Sequence, residues 1–274
     1  MSDHADGVDD AADKPWRDAV RRWLAVFDEV APGSVEGLYV VGSVALDDWQ
    51  PGSSDLDIVA VTAEPADEEM AGTLLTAHAV YTERHPGRSV DGPFLAWGDL
   101  VVPPNAVTRP WMLDGRFHHD AECFEINPVT WFTLIRYGIG IRGPATVDMP
   151  IPSDLDERIR FVVDNAMSYW RGVHQDLVGA IGELAPGATL PSRVPEWCLL
   201  GACRMLYTAA TGDVTSKSGA GRWAASVLGE QHRTICDAVV ALHNGPAGEV
   251  GRDELVATAE AMAEALRRIA TFAT

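Results

Sequence analysis

The chain has 274 residues, 47% of them hydrophobic, which is too apolar for a disordered protein and long enough for one large core or two ordinary ones. Its formal net charge of -19 excludes binding to a nucleic-acid backbone, which needs a basic surface, and favours a cationic partner. No apolar run approaches the roughly 20 residues that cross a bilayer, so no membrane partner is expected.

The first fourteen residues, MSDHADGVDDAADK, are acidic and lack an apolar signal-peptide core. They read as a disordered leader on a cytoplasmic protein. Pro15 to Gly33 has apolar residues at helical spacing and ends in Pro-Gly, so a helix is predicted there. GLYVVGS and LDIVAVTAE are two β-rich runs joined by a polar turn, and read as a hairpin or adjacent strands. ADEEMAGTLLTAHAVYTERHPG is predicted as a helix stopping at Pro86-Gly87. RSVDGPFLAWGDL follows as a strand interrupted by Gly92-Pro93. Val101 to Phe124 reads as loop, and PVTWFTLIRYGIGIRGP as a short helix.

After Pro150 the pattern turns helical throughout. Ser153-x-x-Asp156 reads as a helix start. Amphipathic runs follow, including PEWCLLGACRMLYTAATG, SGAGRWAASVLGEQHRTICDAVVALH and RDELVATAEAMAEALRRIATFA. The expected class is α+β: a mixed α/β domain over 15–150, then an all-α helical bundle over 151–274. The four cysteines, Cys123, Cys198, Cys203 and Cys236, lack metal-type spacing and read as buried free thiols. Adjacent His118-His119 point apart and match no zinc pattern.

The chemistry concentrates at Gly42-Ser43 and Asp55-x-Asp57. Side chains two apart on a strand share a face, so two carboxylates lie side by side and repel. A divalent cation such as Mg²⁺ relieves that repulsion and commonly joins carboxylates to substrate phosphates. A Gly-Ser turn offers backbone N–H groups, a hydroxyl and close backbone approach to a phosphate. Asp47 and Asp48, between the two motif halves, add negative potential or are simply solvated.

Strand, Gly-Ser, a polar turn, Ser-Asp-x-Asp and strand together resemble the signature of the DNA polymerase β-like nucleotidyltransferases. The resemblance covers roughly residues 36–99 and implies a small mixed sheet with helices on one side, with Mg²⁺ on Asp55 and Asp57. ACRMLYTAATGDVTSKSGAGRWAASVL is similar to the helical domain of aminoglycoside adenylyltransferases acting on streptomycin and spectinomycin. Arg204, Thr211-Gly212, Ser216-Lys217 and Trp223-Ala224 carry that similarity.

The resemblance implies ATP bound between the two domains. Arg204 and Lys217 lie on its phosphates, together with Gly42 and Ser43, and a cationic antibiotic occupies the same cleft. It places Asp91 where the family has a Glu general base, with Glu83, Glu122 and Glu125 as alternatives. It suggests Trp111, or else Phe117, as an aromatic packing on the sugar ring, and Glu196 as an acidic drug contact. The residues themselves fit. Lys217 follows Thr-Gly-Asp at a predicted helix start, where a phosphate or plain solvent would suit it. Arg204 lies among apolar neighbours and needs a partner, either a buried carboxylate or a phosphate.

The expectation is Mg²⁺-dependent transfer of AMP from ATP to a hydroxyl of an aminoglycoside or aminocyclitol by a monomer, with antibiotic resistance as its result. A nucleotidyltransferase with a protein or other small-molecule acceptor, or a non-catalytic nucleotide binder, would share these motifs.

Overall fold

The computed structural model describes residues 14–87, 89–104, 108–119 and 121–273. The expected leader lies outside these residues except for Lys14. The chain forms two compact units that divide between Pro152 and Ser153. No described helix is long and apolar enough to cross a membrane.

In the first unit, six strands among the described residues form one sheet. They are β1 (Gly37–Val40), β2 (Leu56–Thr62), β3 (Val90–Ala96), β4 (Trp111–Leu113), β5 (Arg116–His118) and β6 (Ile139–Arg142). Their order is β5-β4-β3-β2-β1-β6, with β2 and β3 parallel and every other neighbouring pair antiparallel. A parallel pair needs a crossover, and α3 (Glu68–Arg84) supplies it, while the one-turn helices α2 (Gly42–Ala45) and α4 (Trp97–Leu100) follow β1 and β3. Asp67 caps α3 by accepting from the Met70 amide at 2.9 Å.

Period-two alternation sends the strand side chains to two faces. One face packs Leu38, Val40, Ile58, Ala60 and Phe94 against α3 and α1 (Pro15–Val30), whose Trp23 and Phe27 stack at 3.9 Å. The other packs Tyr39, Val59, Val61 and Leu95 with Trp131 and Leu134 of α5 (Pro128–Tyr137) and with Cys123 and Ile126. Helices therefore cover both faces, not one side as the resemblance implied.

Three further expectations are corrected. The stretch read as loop from Val101 to Phe124 contains the β4–β5 hairpin. It turns on Asp114-Gly115, both with positive φ (50° and 73°), the left-handed pair that a tight hairpin requires. The helix expected to continue to Gly143-Pro144 ends at Tyr137, and Ile139–Arg142 pairs with β1 as β6. Gly92 and Pro93 do not break β3. Gly92, at φ 135°, lies so near β2 that a Cβ there would come within 1.9 Å of the Ile58 carbonyl oxygen. Only glycine admits that approach.

The second unit is helical. α6 (Leu155–Asn165) runs through a π turn, Ala166–Trp170, into α7 (Arg171–Glu183). The cap of α6 is Asp154, whose carboxylate accepts from the Glu157 amide at 2.8 Å, not the expected Ser153. α8 (Arg193–Pro195), a second π turn (Glu196–Leu200) and α9 (Gly201–Thr211) form another continuous helical run. Gly201 lies against Trp170, where a Cβ would meet its ring at 1.9 Å. α10 (Lys217–Val227) and α11 (Glu230–His243), expected as one helix, separate at Gly229, which has φ 110°. α12 (Arg252–Ile269) closes the core, and a two-stranded ribbon joins β7 (Leu190–Pro191) to β8 (Glu249–Val250).

Candidate active site

The site of the first unit lies where β1 leaves the sheet and β2 enters it. The Val41 amide donates to the Asp57 carbonyl at 3.0 Å, closing the ladder. Gly42 follows at φ 58°, and the Ser43 amide donates to Asp57 Oδ2 at 3.4 Å. A Cβ on Gly42 would lie 1.8 Å from that oxygen, so glycine makes room for the carboxylate. The structure thus brings Gly42, Ser43 and Asp57 together.

Asp57 is the register partner of Asp91 across the parallel β2–β3 ladder. Parity places Asp55, Asp57 and Asp91 on the sheet face shared with Val59 and Val61, opposite α1 and α3. Asp91 is buried, at 3% exposure, while Asp55 is exposed. Asp91 Oδ1 accepts from the Ser89 hydroxyl and, at 3.1 Å, from the Asp114 amide. Burial, together with the neighbouring charges of Asp55 and Asp57, pushes its carboxyl up to about 6, and those two hydrogen bonds hold it from going further.

The hairpin turn adds a carboxylate that sequence reasoning missed. Asp55, Asp91 and Asp114 each offer an oxygen within 4.8 Å of the others, which is a spacing that one cation can span. The Asp-Gly dipeptide at 114–115 is a hairpin signal that the loop reading of Val101 to Phe124 passed over, and it does not say which strand the turn would face. Glu125, an alternative in the sequence reading, lies between the core anchors Cys123 and Ile126, close enough to Asp57 and Asp91 to feel their charge. Its residue keeps some exposed surface, but protein encloses the carboxyl. That enclosure, with the charges of Asp57 and Asp91, pushes it up to about 8. Ionised together these groups repel, and a hard cation with oxygen preference fits them.

Trp111 sits elsewhere than a substrate-facing position. It is 6% exposed, stacks on His118 at 4.3 Å and meets Phe124 edge-on at 5.3 Å. Its ring belongs to the core instead of offering a face to a sugar, because β4 places it on the same side as Val59 and Leu95. Phe117 is also engaged, against Phe94 and His78. Glu122 pairs with Thr108 through an isolated β-bridge, and Glu83 lies on α3.

In the second unit, Arg204 lies on α9 and is half-buried. Lys217 opens α10 behind the cap Ser216, whose hydroxyl accepts from the Gly219 amide at 3.1 Å. The Lys217 ammonium also lies 5.8 Å from the ring centre of Trp197, in the π turn. Glu196, one residue earlier, meets His243 Nδ1 at 3.3 Å. The segment between α9 and α10 is held by Arg158, whose Nε and Nη2 donate to the Gly212 carbonyl at 3.0 and 2.6 Å.

Residues 22–103 match the nucleotidyltransferase domain, and residues 163–268 match the C-terminal domain of aminoglycoside adenylyltransferase. The chain belongs to the aminoglycoside adenylyltransferase family of nucleotidyltransferases. This family member shares its fold with spectinomycin adenyltransferase AAD(9) from Enterococcus faecialis, solved with ATP and spectinomycin. The TM-score is 0.65 and the identity 14%, over 91% of this chain and 98% of that one. No curated protein matches the adenylyltransferase-family sequence.

Proposed function

We propose that the chain transfers AMP from MgATP to a hydroxyl of a cationic aminocyclitol or aminoglycoside, of the spectinomycin or streptomycin class. The observation that carries this is the carboxylate cluster of Asp55, Asp57 and Asp91 beside the Gly42-Ser43 turn. The family membership and the shared fold support it.

In this reading Asp55 and Asp57 would hold Mg²⁺; the carboxylate oxygens spaced for one ion are those of Asp55, Asp91 and Asp114, so Asp55 is common to both sets. When bound, the ion neutralises carboxylate charge and polarises the α-phosphate. Gly42 and Ser43 hold the β- and γ-phosphates through backbone N–H and hydroxyl groups, the Ser43 amide exchanging its bond to Asp57 for one to phosphate. Asp91 accepts the acceptor's hydroxyl proton as that oxygen bonds to the α-phosphorus. The bond from the α-phosphorus to the bridging oxygen breaks, and pyrophosphate leaves with its charge offset by Arg204 and Lys217. The net charge of -19 draws in an acceptor carrying several positive charges.

The test is incubation with ATP, MgCl₂ and spectinomycin or streptomycin, read by mass spectrometry. One added AMP unit on either drug is expected. Unmodified drugs, with ATP consumed on other acceptors, would move the assignment to another substrate of the same chemistry.

A further inference from the structure

The hairpin turn that reaches Asp91 is itself held from behind. His78, on α3, is 5% exposed, and its Nε2 lies 3.0 Å from the Gly115 carbonyl oxygen. A carbonyl only accepts, so Nε2 carries a proton. Burial holds the imidazole below its usual value and hence neutral, which leaves Nδ1 bare. That Nδ1 is buried with no hydrogen-bond partner among the described residues. A buried polar atom without a partner is costly, and an apolar residue would fill the same space without that cost. What His78 adds over a leucine is its hold on Gly115.

Gly115 is held through both of its backbone groups. Its carbonyl accepts from His78, and its amide donates to Ser89 Oγ at 3.2 Å. The Ser89 hydroxyl then donates to Asp91 Oδ1, and the Asp114 amide reaches the same oxygen at 3.1 Å. Asp114 has a positive φ of 50°, which an Asp-Gly turn accepts, so the bonds to Gly115 fix where the turn sits over Asp91 and not whether it forms. With Oδ1 saturated, Oδ2 is the carboxylate oxygen left for a proton or a cation.

We infer that His78 is a positioning residue for Asp91, acting through the Gly115 carbonyl and the Asp114-Gly115 turn. The inference rests on the role given to Asp91 under the proposed function. His78→Leu keeps volume and removes the donor, whereas His78→Gln places an amide N–H where Nε2–H stood. In His78→Leu, hydrogen exchange at the 114–115 amides should quicken roughly tenfold, because one hydrogen bond of the turn is lost. With MgATP and spectinomycin, kcat should fall about 10- to 100-fold at nearly constant KM for ATP, as for loss of an interaction that counts in the transition state. His78→Gln should restore both to within roughly threefold of wild type. In an Asp91→Asn background, His78→Leu should cost nothing further, since residues acting as one unit are not additive.

Unchanged exchange at 114–115, or equal losses in the Leu and Gln variants, overturns the inference. So does an inactive Asp91→Asn protein beside a fully active His78→Leu. Full activity in Asp91→Asn overturns the role of Asp91 itself, and this inference with it.

Discussion

Arg158 in the helical unit and Glu125 in the sheet unit are both enclosed by protein, yet their surroundings differ in kind. Arg158 donates to the Gly212 carbonyl twice and to Ser153 Oγ at 3.1 Å; burial holds its guanidinium below the usual value, and the carboxylates of Asp213 and Asp154 offset part of that cost. It is a completed structural cation that fixes the end of α9. Glu125 and Asp91 are pushed toward their protonated forms by burial and by neighbouring carboxylates, Asp57 and Asp91 in the case of Glu125 and Asp55 and Asp57 in that of Asp91, with no opposite charge beside them among the described residues to offset it. One unit satisfies its buried charge from within. The other concentrates charge of one sign in a form that a cation from outside completes, and that contrast separates a scaffold from a site.

The largest break in the comparison is Asp57→Ala. It should lower kcat/KM for MgATP by about 10³-fold or more, measured by AMP transfer, because it removes the proposed Mg²⁺ ligand and the partner of the Ser43 amide. Arg158→Ala should cost stability, by about 2–4 kcal/mol in denaturant titration, because it leaves the half-buried Gly212 carbonyl without its two guanidinium donors. Equal stability in that variant would remove the contrast from the helical side.

Glu125→Gln should do the reverse in the Mg²⁺-free protein. Unfolded, Glu125 titrates near 4.5, and folded near 8. Below the lower value both states hold the proton. Between the two, the unfolded chain releases it while the folded chain keeps it, so stability falls as pH rises across that window. The amide removes this loss, and should raise the unfolding free energy by about 1–3 kcal/mol near pH 8 with no gain below ~pH 4.5. Adding MgCl₂ should erase the advantage. The smallest effect concerns Asp91. With its carboxyl near 6, kcat/KM at low Mg²⁺ should roughly halve from pH 7 to pH 6. Higher Mg²⁺ should shift that fall to lower pH.

The residues of Asp55-x-Asp57 were legible because a strand shows its alternation locally, and β2 keeps that alternation. Asp91 was legible through the neighbouring strand, whose Gly92-Pro93 looked like a break. The break vanishes in the sheet, because Gly92 is where β2 comes close, which only the pairing reveals. Asp114 stayed hidden. It lies in a turn, and nothing local says that the turn folds back over Ser89 and Asp91. β6 was lost inside a helical pattern because four residues of Ile-Gly-Ile-Arg carry too short a period to tell strand from helix end. Trp111 was suggested by resemblance to a family loop aromatic, whereas its pairing with β3 and β5 in a strand turns it inward. Arg204 and Lys217 drew their assignment from family resemblance more than from their own surroundings.

The π turns at Ala166–Trp170 and Glu196–Leu200 give the helical unit a property of phase. A π turn carries one residue more than the α turn it replaces, and in an α-helix one residue is about 100° of rotation. Counting back from Arg204 to Glu196 therefore crosses an extra residue, and the direction in which Glu196 faces is set by the turn instead of by the count. Deleting a single residue from 196–200 would leave a continuous helix but twist Arg193–Pro195 by about a quarter turn relative to α9. Length changes of one residue in these two turns are thus rotations of the surfaces on either side, a way for such a chain to re-aim one face while keeping the other still.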